Sequence, residues 1–125
     1  MSNTEPIRVL LVDSEWVAES LAVQGFAVCT ATNGMDALKC LASVPVDVLF
    51  TDINLAGGMD GTVLARRARE LLPDLPVVYA SGRVNILDPQ VRVPGSTFVP
   101  KPYVPSLIGR VLANAVESAA ARVPA

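Results

Sequence analysis

Residues 46–61, VDVLFTDINLAGGMDG, place the tightest limit on what this chain can fold into. Val46, Val48, Leu49 and Phe50 make an apolar run too short for a comfortable helix and rich in β-forming residues. Such a run predicts a strand buried on both faces, as inside a parallel sheet. It ends in Thr51 and Asp52; Asn54 follows, then a turn-forming stretch with Ala56, Gly57, Gly58, Asp60 and Gly61. A carboxylate is therefore expected at the carboxyl end of a central strand, the edge at which open α/β sheets hold their ligands.

The rest of the chain repeats the pattern. Residues 1–6 are polar, end in Pro6 and are expected to be a frayed lead-in. Ile7–Val12 reads as a first buried strand, followed by Asp13, Ser14 and Glu15. Glu15–Gln24 reads as a short helix with Trp16, Val17, Leu21 and Val23 as its apolar residues, stopped by Gly25. Phe26–Ala31 is a second strand. Asn33 is placed to cap a helix over Gly34–Ala42, in which Met35, Leu38 and Leu41 recur at three-residue spacing. Beyond the glycine-rich loop, Thr62–Leu72 predicts a helix with Val63, Leu64, Ala68, Leu71 and Leu72 on one side and Arg66, Arg67, Arg69 and Glu70 on the other. Leu75–Ala80 is a fourth strand, running into Ser81 and Gly82. Residues 83–95 hold Pro89, Pro94 and Gly95, so a fourth helix there is short or irregular, a turn or two around Ile86–Val91. Thr97–Pro100 is a short fifth strand, and a last helix runs from about Tyr103 or Pro105 to Ala121. Strands alternating with helices imply right-handed crossovers and a three-layer α/β/α sandwich around a five-stranded parallel sheet.

Composition narrows the function classes. A length of 125 residues suits one domain, 1–125, with no repeat or linker. No apolar run approaches the roughly 20 residues of a membrane span, and the first residues lack the form of a signal peptide, so a cytoplasmic protein without membrane contact is expected. The absence of histidine removes Ser-His-Asp and Cys-His catalysis and histidine metal sites. A net charge of −2 argues against direct nucleic-acid binding. The arginines of the third helix are expected to be a solvated face, and Gly57-Gly58 lacks the lysine-hydroxyl ending of a phosphate loop. Cys29 falls in a predicted strand and Cys40 in a predicted helix, so both are expected to be small buried hydrophobes rather than a disulfide.

In a parallel sheet the strand ends share one edge. Strand one ends at Asp13-Ser14, strand three at Asp52, strand four at Ser81, and strand five runs into Lys101. Two carboxylates brought together repel, and an oxygen-seeking cation such as Mg²⁺ relieves the repulsion. An ammonium and a hydroxyl beside a carboxylate can hold the oxygens of a phosphoryl group, and a carboxylate can itself be the nucleophile in phosphoryl transfer. These residues predict an aspartyl-phosphate site.

The stretches VLLVDSE, LFTDINLAGGMDG, YASG and FVPKPY resemble the receiver domain of two-component response regulators, over roughly Arg8 to Val116. The resemblance implies a flavodoxin-like sheet of order 2-1-3-4-5, an order general to that fold class. It implies that Asp52 is the phosphoacceptor for a sensor histidine kinase or phosphotransfer protein. Asp13 belongs to the acidic pair that holds Mg²⁺ with Asp52, and Asn54 lends its backbone carbonyl. Ser81 is the switch hydroxyl, Phe98 the switch aromatic, and Lys101 the partner of the phosphoryl oxygens, before a Lys101-Pro102 bond usually cis in the family. The output surface is the fourth helix, fifth strand and last helix, which meet an unknown downstream protein or a second copy in a homodimer. On this basis the chain is expected to be a stand-alone receiver, a signalling module rather than an enzyme.

Four features depart from the family pattern, one of them the short, proline-broken fourth helix on the face receivers often use for output. Ser14 stands where a second acid is usual, and a neutral hydroxyl is a weaker ligand for a hard cation. The first helix is about one turn short. The loop after Asp52 has an extra glycine and no proline. A receiver-like module that binds a partner constitutively, with phosphorylation lost through Ser14, is the alternative. An aspartate-based phosphatase would need a second acid two residues after the nucleophile, where this chain has Asn54.

Overall fold

The computed structural model describes residues 5–12, 16–55, 57–82 and 92–122. Five strands form one parallel sheet: β1 (Arg8–Val12), β2 (Ala27–Thr30), β3 (Val48–Asp52), β4 (Val77–Ser81) and β5 (Thr97–Pro100). Their order is β2-β1-β3-β4-β5. The helices among the described residues are α1 (Trp16–Val23), α2 (Gly34–Ser43), α3 (Gly61–Leu71) and α4 (Pro105–Arg122). The expected short fourth helix at 86–91 lies outside the described residues, so α4 is the last helix of the sequence reading.

Period-two alternation divides the core into two layers. Leu10, Val12, Leu49, Val77 and Tyr79 point to the side covered by α2 and α3, where Leu41, Leu64, Ala65 and Ala68 meet them. Val9, Leu11, Val48, Phe50, Val78, Ala80 and Val99 point to the other side, against Val17 and Leu21 of α1 and Ile108 and Leu112 of α4. The inner strands β1, β3 and β4 are buried on both faces, as their unbroken apolar runs require.

The helix ends follow the local chemistry. Gly25 ends α1 with φ +104°, a conformation that costs glycine little. Asn33 caps α2, its side-chain oxygen accepting from the Asp36 N–H at 2.8 Å. Asp60 caps α3, accepting from the Thr62 and Val63 N–H groups at 2.9 and 3.0 Å and from the Thr62 hydroxyl.

Four expectations need correction. In α2 the buried residues are Gly34, Ala37 and Leu41, while Met35 is 55% exposed; the small residues face inward because the Met59 side chain lies directly against Gly34. In α3 the packed face is Leu64, Ala65 and Ala68, and Leu71 is exposed near the helix end. In α1, Val23 is exposed at the last turn, past the residues that α4 and the sheet cover. Arg69 is a tether rather than a solvated arginine. Its Nε donates to the Leu75 carbonyl at 2.6 Å and its Nη2 to the Pro94 carbonyl at 2.9 Å, joining the α3–β4 turn to the segment before β5.

Cys29 of β2 and Cys40 of α2 are both half-buried, and their Sγ atoms lie 2.8 Å apart as free thiols. Burial, aided by the contact with Cys29, pushes the Cys40 thiol from 9.0 up to about 11. The two cysteines are a facing pair: α2 packs over β1 and α3, and Cys40 reaches across to Cys29 on the edge strand β2.

Candidate functional site

β3 carries Asp52 to the carboxyl edge of the sheet, with its neighbours in register. Asp52 lies opposite Ala80 of β4, and Ser81 opposite Pro100 of β5. The Lys101 N–H donates to the Ser81 carbonyl at 2.8 Å, which extends the ladder one residue past β5. From there the lysine side chain crosses over β4, and its Nζ donates to Asp52 Oδ2 at 2.9 Å. The two side chains are 30% and 19% exposed, so the ion pair is partly shielded from water while still reachable. The Lys101-Pro102 bond is cis.

The remaining site residues of the sequence reading fall as follows. Ser81 ends β4 and is buried. Phe98 lies opposite Tyr79 in register and is half-buried against the layer under α2 and α3. Asn54 is exposed, two residues beyond Asp52. Asp13 and Ser14 lie outside the described residues, directly after β1, whose Val12 pairs with Thr51.

Two supports of Asp52 escaped the sequence reading. Buried Thr51 donates its hydroxyl to the Asp52 carbonyl at 2.8 Å. Gly61, the first residue of α3, passes so close that a Cβ would fall onto that same carbonyl oxygen, and its N–H donates to the Ile53 carbonyl at 2.7 Å. The loop between them turns through Gly57 and Gly58 at φ +86° and +84°. The paired glycines thus supply consecutive left-handed residues, a definite turn rather than mere looseness. The Asp60-Gly61-Thr62 run before an apolar stripe is a capping signal, and it could have marked this approach in the sequence.

Burial opposes ionisation of the Asp60 cap, but the Thr62 hydroxyl, the Val63 and Thr62 N–H groups and the Arg66 charge outweigh it and hold the carboxyl below 3.8. Its contribution to stability is present above the ordinary carboxylate range and lost as pH falls through the lowered value. Asp60→Ala is expected to cost about 1 kcal/mol at pH 7 in a urea titration. The difference from the parent should shrink as the titration is repeated toward pH 3.

Among the described residues no three Cys, Asp or Glu side chains cluster as a metal site. The donors that the described part offers a cation are hard oxygens, the Asp52 carboxylate and the backbone carbonyl of Asn54. Hard oxygen donors suit Mg²⁺.

Known proteins share this fold. The family model described as "Response regulator receiver domain" matches residues 10–112. A crystal structure of a response regulator receiver protein from Sinorhizobium medicae superposes with a TM-score of 0.84 at 28% identity, covering 94% of this chain and 99% of that one. The DNA-binding transcriptional regulator NtrC of Escherichia coli is 36% identical over 92 residues, 70% of this chain and 19% of its own length. The sensor histidine kinase RcsC of Escherichia coli is 32% identical over 83 residues, 62% of this chain and 9% of its own length. This chain belongs to the response regulator receiver domain family. It is accordingly a module of two-component phosphorelay signalling. No helix among the described residues is long and apolar enough to cross a membrane.

Proposed function

We propose that residues 1–125 form one receiver unit that accepts a phosphoryl group on Asp52 from a sensor histidine kinase or phosphotransfer protein. The observation that carries this reading is the Lys101 ammonium held 2.9 Å from the Asp52 carboxylate by a residue 49 positions away in the chain. A half-buried acid with a dedicated cation is what an acyl phosphate needs, since the ammonium can neutralise the incoming oxygens as they arrive. An Asp52 carboxylate oxygen forms the new bond to phosphorus while the donor's phosphorus–nitrogen bond breaks and its imidazole leaves. Lys101 then pairs with phosphoryl oxygens instead of the carboxylate, and the Ser81 hydroxyl turns toward them.

Asp13, Asp52 and the Asn54 carbonyl would hold Mg²⁺, which would supply positive charge against the transferring group. Ser14 beside Asp13 would be a weak ligand and would lower the affinity for the ion. Phe98, half-buried on the edge strand, repacks when Ser81 moves and passes the change to the β5–α4 face. That face meets the downstream protein or a second copy of the chain. Phosphorylation then shifts an existing balance between two conformations rather than building a new one. The work is signalling in the cytoplasm, through protein contacts and without direct contact with nucleic acid.

Beryllofluoride, a mimic of the bound phosphoryl group, tests this. With Mg²⁺ it should shift the amide resonances around Asp52, Ser81 and Lys101, and Asp52→Asn should abolish the shift. Unchanged spectra at saturating Mg²⁺ would favour the constitutive binding module instead.

A further inference from the structure

We propose that Cys29 and Cys40 close into a reversible intramolecular disulfide that staples the edge strand β2 to α2. Their sulfurs stand 2.8 Å apart, inside ordinary sulfur–sulfur contact, and only a short approach separates them from the roughly 2.05 Å of a covalent bond. Both residues are half-buried rather than sealed, and β2 is the outer strand of the sheet among the described residues. A small oxidant therefore has access.

The oxidant class is a hydroperoxide, with hydrogen peroxide as the simplest case. One sulfur attacks a peroxide oxygen, becomes a sulfenic acid and releases water. The second sulfur attacks that sulfenic sulfur, the S–S bond forms, and a second water leaves. The two thiols lose two electrons and two hydrogens, and the peroxide is reduced to two waters. Either thiol can make the first attack, and the other, already in contact with it, makes the closing step.

The staple would act on more than local stability. Asn33 and Gly34 open α2, and they lie against Gly57 and Met59 of the loop that follows Asp52. Fixing α2 to the sheet therefore fixes the wall behind that loop. This inference stands on the thiol geometry alone and does not depend on phosphoryl transfer.

The test treats the full chain with hydrogen peroxide, quenches it, alkylates remaining thiols and measures intact mass with a non-reducing peptide map. The expected result is a monomer lighter by two hydrogens, with no alkylation and a Cys29–Cys40 linked peptide, all reversed by dithiothreitol. Its thermal midpoint should lie above that of the reduced protein. In Cys40→Ser or Cys29→Ser, dimedone should trap a sulfenic acid on the cysteine that remains. Two alkylatable thiols after peroxide, linkage between two chains, or sulfinic acids without a link would each overturn the proposal. A lower midpoint for the linked form would overturn the stapling role.

Discussion

Lys101→Ala is expected to lower the rate of phosphoryl labelling by acetyl phosphate on the order of 10²-fold, the usual loss when one preorganised charge-stabilising donor is removed. The fold should change little. The Lys101–Asp52 pair is partly solvated, so its net contribution to stability is within about 1 kcal/mol. The combination is diagnostic: a near-normal urea midpoint with labelling lost separates a role in chemistry from a role in folding. Lys101→Arg keeps the charge but replaces a compact ammonium with a wide planar fork, and should restore labelling only in part. If Lys101→Ala labelled at the parent rate, the ion pair would be an ordinary surface contact.

Gly61→Ala should produce the larger structural effect. The added Cβ meets the Asp52 carbonyl, which is backbone and cannot rotate away as a flexible side chain could. Either β3 shifts at its end or α3 is pushed outward, at a cost of about 1–3 kcal/mol, as for other overpacked sites. Both responses displace Asp52 relative to Lys101, so labelling should fall with stability. Gly58→Ala is the contrast. Open space surrounds that position, and only its φ of +84° opposes a side chain. Its cost should be near 1 kcal/mol, with the Asp52 carbonyl untouched. Equal effects from the two substitutions would mean that loop conformation, not the close approach at Gly61, holds the site.

The parts of the fold legible in the sequence were those set by short-range pattern. Unbroken apolar runs gave the inner strands β1, β3 and β4, because burial on both faces leaves no polar alternation to misread. Asn33 and Gly25 marked helix ends through their own local chemistry. Helix faces were less legible. Met35 and Leu71 look like core residues by spacing, yet the inward positions go to Gly34, Ala37 and Ala68, where neighbouring elements approach closely. Close approach selects small side chains, and hydrophobic periodicity undercounts them.

The candidate site shows the same division. Asp52 and Lys101 were marked by their place at strand ends, and the sheet register brings them to one rim. The supports of that rim were not marked. Thr51 looks like one more β-former, and its hydroxyl bond to the Asp52 carbonyl depends on rotamer and burial that no spacing encodes. Arg69 reads as a charged helix position until the Leu75 and Pro94 carbonyls are placed beside it. The contact between Cys29 and Cys40 likewise depends on how far α2, packed over β1, reaches toward the edge strand β2.

Intact mass after incubation with acetyl phosphate and Mg²⁺, parent beside Asp52→Ala, bears most directly on the proposal that the rim holds an acyl phosphate. One added phosphoryl group on the parent and none on the variant is the expected result. An unlabelled parent at saturating Mg²⁺, or equal labelling of the variant, would contradict it.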